Sequence, residues 1–320
     1  MRLGKLDNDE LERLVLHKFA KTRPESLQAP QVGEDCAWLD LGGDLAVFSC
    51  DPITSASDRH LGRLSVHVNC NDAAAAGAEP VGLLVTLLAP PDATPEQIGR
   101  IADELAREAR RAGVDVIGGH TEVTDAVTRP VTSTAVVARC QRERRMRGMR
   151  VGDALVMTKW AGLEGTAIIA EDFPAVAAAV APAQRRAAAG LTALLSVVPE
   201  GRYAAAHGAT AMHDVTEGGV LGACWEMAHL AGCGMVVDTA RIPVRPETRA
   251  LCAVAGLDPL RLISSGSMLI ACPDGAAMAA GLAELGILAT VIGRAAEGGV
   301  RRADGSPIEP PGADELYRLF

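Results

Sequence analysis

The stretch from His67 to Pro80, His-Val-Asn-Cys-Asn-Asp-Ala-Ala-Ala-Ala-Gly-Ala-Glu-Pro, constrains this chain more than any other. It is polar in its first half and small in its second. Leu64, Val68 and the Ala73 to Ala76 run give a helix an apolar side, and Gly77 with Pro80 supplies a stop. Asn69 and Asp72 stand three residues apart and share a face of that helix. The alanines allow a neighbouring element to pack closely, so a carboxylate and an amide ride on a helix that has every reason to be buried. Taken alone, it reads as a half-exposed helix whose polar face meets water. The acidic positions elsewhere in the first half of the chain shift that reading towards a site.

Ahead of it, Asp7 to Ala20 has a helix pattern, with Leu11, Leu14, Val15 and Phe19 on one side. Two short apolar runs, Val32 to Asp40 and Leu45 to Asp51, flank Gly42-Gly43, which is a hairpin signal. Asp35 then falls near the start of the first strand and Asp51 at the end of the second, and an antiparallel pair brings those ends together. Val81 to Ala89 reads as a buried strand. Thr94-Pro95-Glu96 opens a helix to Ala112. Val114 to Val123 is a strand ending in Gly118-Gly119, followed by His120, Thr121 and Glu122, and Val131 to Ala138 alternates as a further strand. The order of strands and helices predicts an α+β, mixed-sheet domain and not a doubly wound one.

Gln141 to Arg150 carries five arginines and reads as a solvated connection. It marks the expected boundary between domains 1–145 and 146–320, in keeping with 320 residues being long for one core. Beyond it, Ala154 to Lys159 is a strand, Gly162-Leu-Glu-Gly165-Thr166 opens a helix, and Ala175 to Leu195 is helical with a break at Pro182. Ala209 to Asp214 is a strand that turns through Gly218-Gly219 into a helix from Val220. Ile263 to Cys272, Ala276 to Leu285 and Leu288 to Arg294 form a β-α-β unit, and the tail to Phe320 closes as a short helix.

Hydrophobic residues make up 48% of the chain but aromatics only 3%, so the core is built from Ala, Val and Leu. A net charge of -9 argues against a nucleic-acid partner, though not against nucleotides whose phosphate charge a divalent cation carries. Eight scattered cysteines without a CxxC pair argue against zinc and for reduced thiols in the core. With no signal peptide and no long uncharged apolar span, the expected location is the cytoplasm, away from the membrane.

The polar residues at strand ends and helix starts are Asp35, Asp51, Asn69, Asp72, His120, Thr121, Glu122 and Asp214. Hard oxygen ligands of this kind suit magnesium, which bridges carboxylates and substrate phosphates. Gly218-Gly219 opens a helix, where backbone N–H groups can face a phosphate. Neither GxxxxGK[ST] nor GxGxxG is present, which excludes P-loop and dinucleotide readings. His213 reads as a loop-orienting residue and Lys159 as a surface lysine. Spacing and composition thus lead to a magnesium-nucleotide enzyme.

Five segments, Val-Gly-Glu-Asp35-Cys-Ala, Ser-Cys-Asp51-Pro, His67 to Pro80, Gly118-Gly-His-Thr-Glu122 and His-Asp214-Val-Thr-Glu-Gly-Gly, together resemble the aminoimidazole ribonucleotide (AIR) synthetase superfamily. They occur in the family's order over residues 33–219, and the likeness is greatest to its hydrogenase maturation branch. The resemblance implies a two-domain AIR synthase-like (PurM-like) mixed α/β fold, with N-terminal sheets forming a barrel across a homodimer. It implies ATP and Mg2+ as cofactors. Asp35, Asp51 and Asp72 would hold magnesium, and Asp72, Asp214 and His120 would act on the substrate. Asn69, Gly118, Gly119, Thr121, Gly218, Gly219 and Lys5 would contact the nucleotide.

Three departures from the family matter. His120 stands where many members have Asp, with Glu122 as a substitute ligand. The glycine-rich N-terminal loop is reduced to Gly4-Lys5. The last cysteine is Cys272, so self-modification at a C-terminal cysteine is not expected in its usual form. The expected function is an ATP- and magnesium-dependent enzyme phosphorylating an oxygen of a small molecule or carbonyl-type group, free or protein-bound. The alternatives are a non-catalytic dimeric nucleotide-binding protein and a thiamine-monophosphate kinase-like kinase.

Overall fold

Gly42 and Gly43 both take positive φ and turn the chain between two apolar runs. In the computed structural model, which describes residues 6, 8–54, 56–146 and 148–320, β1 (Ala37–Asp40) and β2 (Leu45–Ile53) pair as the expected antiparallel hairpin, Asp40 opposite Leu45. Then follow α2 (Leu61–Ala75), β3 (Glu79–Ala89), α3 (Pro95–Ala112), β4 (Asp115–Val123) and β5 (Val131–Cys140). The sheet order is β1-β2-β5-β3-β4. Both β2 and β3 run antiparallel to β5, so β5 sits between two parallel strands that α2 connects.

Helix α3 shows why local sequence suffices for some elements. Thr94 accepts a hydrogen bond from the N–H of Gln97, Pro95 fills the first turn, and Gly113 ends the helix in the left-handed region. Its Ile101, Leu105 and Ala109 join Val66 and Cys70 of α2 and Val47, Leu83 and Val136 of the sheet in the first core. Small aliphatic side chains do the packing there, as the scarcity of aromatics demands.

The second half contains β6 (Ala154–Thr158), α4 (Leu163–Asp172), α5 (Pro174–Ala178), α6 (Pro182–Ala189), α7 (Val198–Ala206), β7 (Ala211–Asp214) and α8 (Gly219–Ala231). It continues with β8 (Gly234–Val237), α9 (Pro246–Ala255), β9 (Met268–Cys272), α10 (Gly275–Glu284), β10 (Ala289–Ala296) and β11 (Val300–Arg302). The sheet order is β11-β8-β10-β6-β9-β7. The expected β-α-β unit is present as β9–α10–β10, but β6 is inserted between its strands and antiparallel to both. α7, β8, α9 and β11 were not expected. β8 and β11 are too short to show a period, and they are strands because they pair with each other.

At the N-terminus the expected long helix is corrected. α1 spans Asn8–Leu14, a 3-10 turn follows at Leu16–Lys18, and neither has a buried residue. Leu14 and Phe19 are exposed and Leu11 and Val15 half-buried, so the described residues cover the apolar side that the periodicity suggested only in part. Among the described residues no helix is long and apolar enough to cross a membrane.

The two halves meet along α2. Asn71 is fully buried, donates through Nδ2 to the carbonyl of Leu195 and accepts from the N–H of Val197, both at 2.8 Å. Gly201 of α7 lies against the backbone of Ala74, where an added Cβ would come within 2.4 Å of a carbonyl oxygen. These contacts set α2, and with it Asp72, against the second half.

Candidate active site

Four aspartates, from three elements and the loop ahead of β1, converge. Asp35 precedes β1, Asp51 lies in β2, Asp72 in α2, and Asp214 ends β7. All four line one cavity of about 150 Å³, together with Glu164, Glu217 and Asp314. Among the described residues its wall holds no lysine or arginine. The helix that reads as half-exposed in the sequence is instead almost wholly buried, because α3, the sheet and the second half cover it from several sides.

Burial raises the Asp72 carboxyl well above the usual range, and the negative charges of Asp214, Asp51 and Asp35 push it further the same way. The hydroxyl of Ser49 donates to its Oδ2, which opposes the rise only in part. Glu164, in the first turn of α4, is pushed up to about 7 by burial, and Asp314 to about 6 for the same reason. Like charges crowded out of water need protons or a cation. The donor set is oxygen-rich and fits magnesium, which carboxylates and phosphate oxygens hold together.

Asn69, expected to touch a nucleotide, is fully buried and does not line the cavity. Its Oδ1 accepts from the N–H of Asp51 at 3.0 Å, and its Nδ2 donates to the carbonyl of Ser65. Both ends of the amide are engaged, and the residue orients Asp51.

Gly218 and Gly219 do open a helix with positive φ. The Gly218 N–H, however, donates to Oδ2 of Asp314 at 2.8 Å, and the Gly219 N–H to the carbonyl of Thr216. A carboxylate of the same chain holds the position expected for a phosphate.

Gly118 and Gly119 do not end a strand. They lie inside β4, and so do His120, Thr121 and Glu122, all exposed. Gly119 has φ 145°, and a Cβ there would stand 1.8 Å from the carbonyl oxygen of Val85, so the close β3–β4 approach admits no side chain. Asp51 is opposite Thr134, Thr134 opposite Val85, and Val85 opposite Gly119. Gly119 is therefore at the level of Asp51, and His120 is at the level of Pro52, about 14 Å from it across three inter-strand spacings. The structure of one chain does not bring it to the aspartates. It faces Glu122 across 3.4 Å instead.

Lys159 is no surface residue. It is 8% exposed, and its Nζ donates to the carbonyls of Leu194 and Ser196 and pairs with Glu200 at 2.8 Å. Gly162, Gly165 and Thr166 are likewise buried structural positions at the start of α4, the Thr166 hydroxyl donating to the Gly162 carbonyl. Lys5 lies outside the described residues.

A second cavity of about 170 Å³ shares Asp35 and Asp72 with the first and adds His213, Trp38 and Met227. His213 is 6% exposed, with Nδ1 2.6 Å from the carbonyl of Asp214. Its Nε2 is 3.8 Å from Asp35 and 3.6 Å from Glu226. Burial lowers its pKa, but Asp35, Glu226 and Asp214 outweigh that and raise it overall. The sequence offered only its neighbour Asp214 as a site residue; its position beside Asp35 is a tertiary fact.

The sequence matches AIR synthase related protein, N-terminal domain, over 33–140, and AIR synthase related protein, C-terminal domain, over 150–304. A protein of Rhodobacter capsulatus described as carbamoyl dehydratase HypE is 33% identical over 73% of this chain and 69% of its own length. A structure of AaThiL complexed with AMPPCP and TMP superposes with a TM-score of 0.76 at 21% identity, covering 98% of both chains. A structure of the hydrogenase maturation protein HypE in complex with ATP gives 0.73 at 22% identity, over 99% of this chain and 98% of the other.

Proposed function

The chain belongs to the AIR synthase-related protein family and is an enzyme of that family, and we propose that it uses ATP with magnesium to phosphorylate an oxygen of a small-molecule or carbonyl-type group. The observation that carries this reading is the convergence of Asp35, Asp51, Asp72 and Asp214 on one cavity whose described wall lacks a cationic side chain. Magnesium would be held by Asp35, Asp51 and Asp72. When bound, it would neutralise charge on the transferring phosphoryl group. The chain's own part is positioning: Asn69 fixes Asp51, Ser49 fixes Asp72, and the Asn71 joint sets α2 against Asp214. The relatives support nucleotide use, since HypE has been seen with ATP and AaThiL with AMPPCP.

The same reading includes a homodimer formed along β4. That edge strand exposes Val116, Ile117 and Val123, with Leu84 and Val81 of β3 beside them, an apolar strip that a partner sheet would cover. A partner copy packed there is the route by which His120, Thr121 and Glu122 would reach a nucleotide.

Titration calorimetry with ATP, with and without magnesium, followed by an assay for ADP release, tests the proposal. Magnesium-dependent binding with turnover supports it, and absence of binding in both conditions overturns it. One observation favours a second reading, a nucleotide-binding protein without turnover: Asp314 occupies the start of α8. Binding without ADP release on any carbonyl or phosphate acceptor supports that alternative.

A further inference from the structure

We propose that Asp35, His213 and Asp214 form a seat for a first-row divalent cation of borderline character, of the Fe2+, Co2+ or Zn2+ kind, in the wall shared by the two cavities. One ligand atom from each residue lies within 4.8 Å of the others. The 3.8 Å between His213 Nε2 and Asp35 Oδ2 is too long for a hydrogen bond. It matches two ligands on one ion, which stand roughly 3–4 Å apart when each is about 2.1 Å from the metal.

His213 lifts this above a cluster of acids. Its ring is buried, and Nδ1 faces the carbonyl of Asp214 at 2.6 Å, so Nδ1 carries the donated hydrogen and Nε2 is the nitrogen turned towards the carboxylates. Nε2 is buried and makes no hydrogen bond. A buried imidazole oriented through its second nitrogen and aimed at carboxylates is how metal-ligating histidines are held. The competing arrangement is an imidazolium paired with Asp35 and Glu226.

The nitrogen is what distinguishes this seat from the magnesium set of the proposed function. Oxygen-only sites suit magnesium, whereas imidazole shifts preference towards later first-row ions. A carboxylate has two oxygens, so Asp35, which is common to both sets, can serve an ion here and one on the nucleotide side. The seat shares residues with that reading but stands independently of whether the chain binds ATP.

The test is titration of tag-free, metal-stripped, nucleotide-free full-length protein with Co2+, followed by its ligand-field absorption, with Mg2+ as competitor. Wild type is expected to prefer Co2+ over Mg2+ by about tenfold or more, and His213→Gln to lose about that factor for Co2+ while changing little for Mg2+. Equal Co2+ affinity in wild type and variant, or no Co2+ preference in wild type, overturns the seat. If the variant does not fold, pulsed electron spin resonance of Mn2+-loaded wild type replaces it. A nitrogen coupling that responds to 15N-histidine labelling supports the seat, and its absence overturns it. An ATP titration on the same wild-type samples separates the two proposals. ATP without the cobalt signature leaves only the nucleotide reading standing, and the cobalt signature without ATP leaves only the seat.

Discussion

The backbone N–H of Gly218 donates to Oδ2 of Asp314 across 2.8 Å, so the chain's own C-terminal segment supplies the acceptor at the start of α8. The other oxygen of the same carboxylate accepts from the N–H of Leu316. Asp314→Ala is expected to lower stability by about 1–2 kcal/mol, the usual cost of a lost cap. It should also tighten ATP binding, because it exposes an N–H and removes a negative charge. Urea unfolding and calorimetry read the two effects. Weaker ATP binding in the variant would show instead that the tail is part of the nucleotide site.

Asp72 is buried among three other aspartates, and its folded-state pKa is raised. For an acid raised in this way, the folded state loses stability as pH climbs above the unfolded value, and the loss is complete above the folded one. Asp72→Asn should therefore stabilise the metal-free protein at neutral pH, by about 1 kcal/mol or more. The same variant should weaken magnesium-dependent ATP binding at least several-fold. Thermal melts in chelator and calorimetry in magnesium check both. A variant that melts below wild type in chelator would contradict the electrostatic argument.

Glu164 extends the argument to pH. Its folded pKa is near 7 against an ordinary 4.5, with burial as the main cause. Stability in chelator should fall as pH rises from about 4.5 through 7, by up to about 3 kcal/mol. Glu164→Gln should flatten that part of the profile. Melting curves of both proteins across this range are the measurement, and parallel profiles would count against it.

The Asn71 joint should behave as a structural unit. Asn71→Ala leaves a buried carbonyl at Leu195 and a buried N–H at Val197 without partners, which costs roughly 2–4 kcal/mol. Denaturant titration gives the value directly, and a loss well under 1 kcal/mol would mean that the halves dock by packing alone.

For the proposed dimer, Ile117→Glu places a charge on the exposed edge of β4, where Ile117 is 57% exposed. Sedimentation should show wild type as a dimer and the variant as a monomer of unchanged fold. A dimeric variant would move the interface elsewhere.

Asp35→Asn removes a ligand from a residue whose side chain is 39% exposed. It should weaken metal-dependent ATP binding far more than folding. Calorimetry and a thermal melt compare the two, and an unfolded variant would argue against a ligand role.

The sequence by itself determined what acts over a few residues. Gly42-Gly43 turned the hairpin, Thr94 and Pro95 started α3, and the small residues after Asp72 marked a helix meant for burial. Periodicity and caps are local signals, because rise, turn and hydrogen-bond spacing repeat within one or two turns of chain. The aspartates were legible for the same reason: each stands at or near the end of an element or on a helix face. Only tertiary structure decided which of the polar residues meet. The docking of α2 through Asn71 and Gly201 joins Asp72 to Asp214, packing within the second half turns Lys159 inward onto Glu200, and the meeting of the halves places His213 beside Asp35. The pairing of β4 with β3 carries His120 to an outer edge, and the return of the tail sets Asp314 on Gly218. Such contacts join residues far apart in the chain, and packing between separately formed elements selects them, which no local pattern encodes.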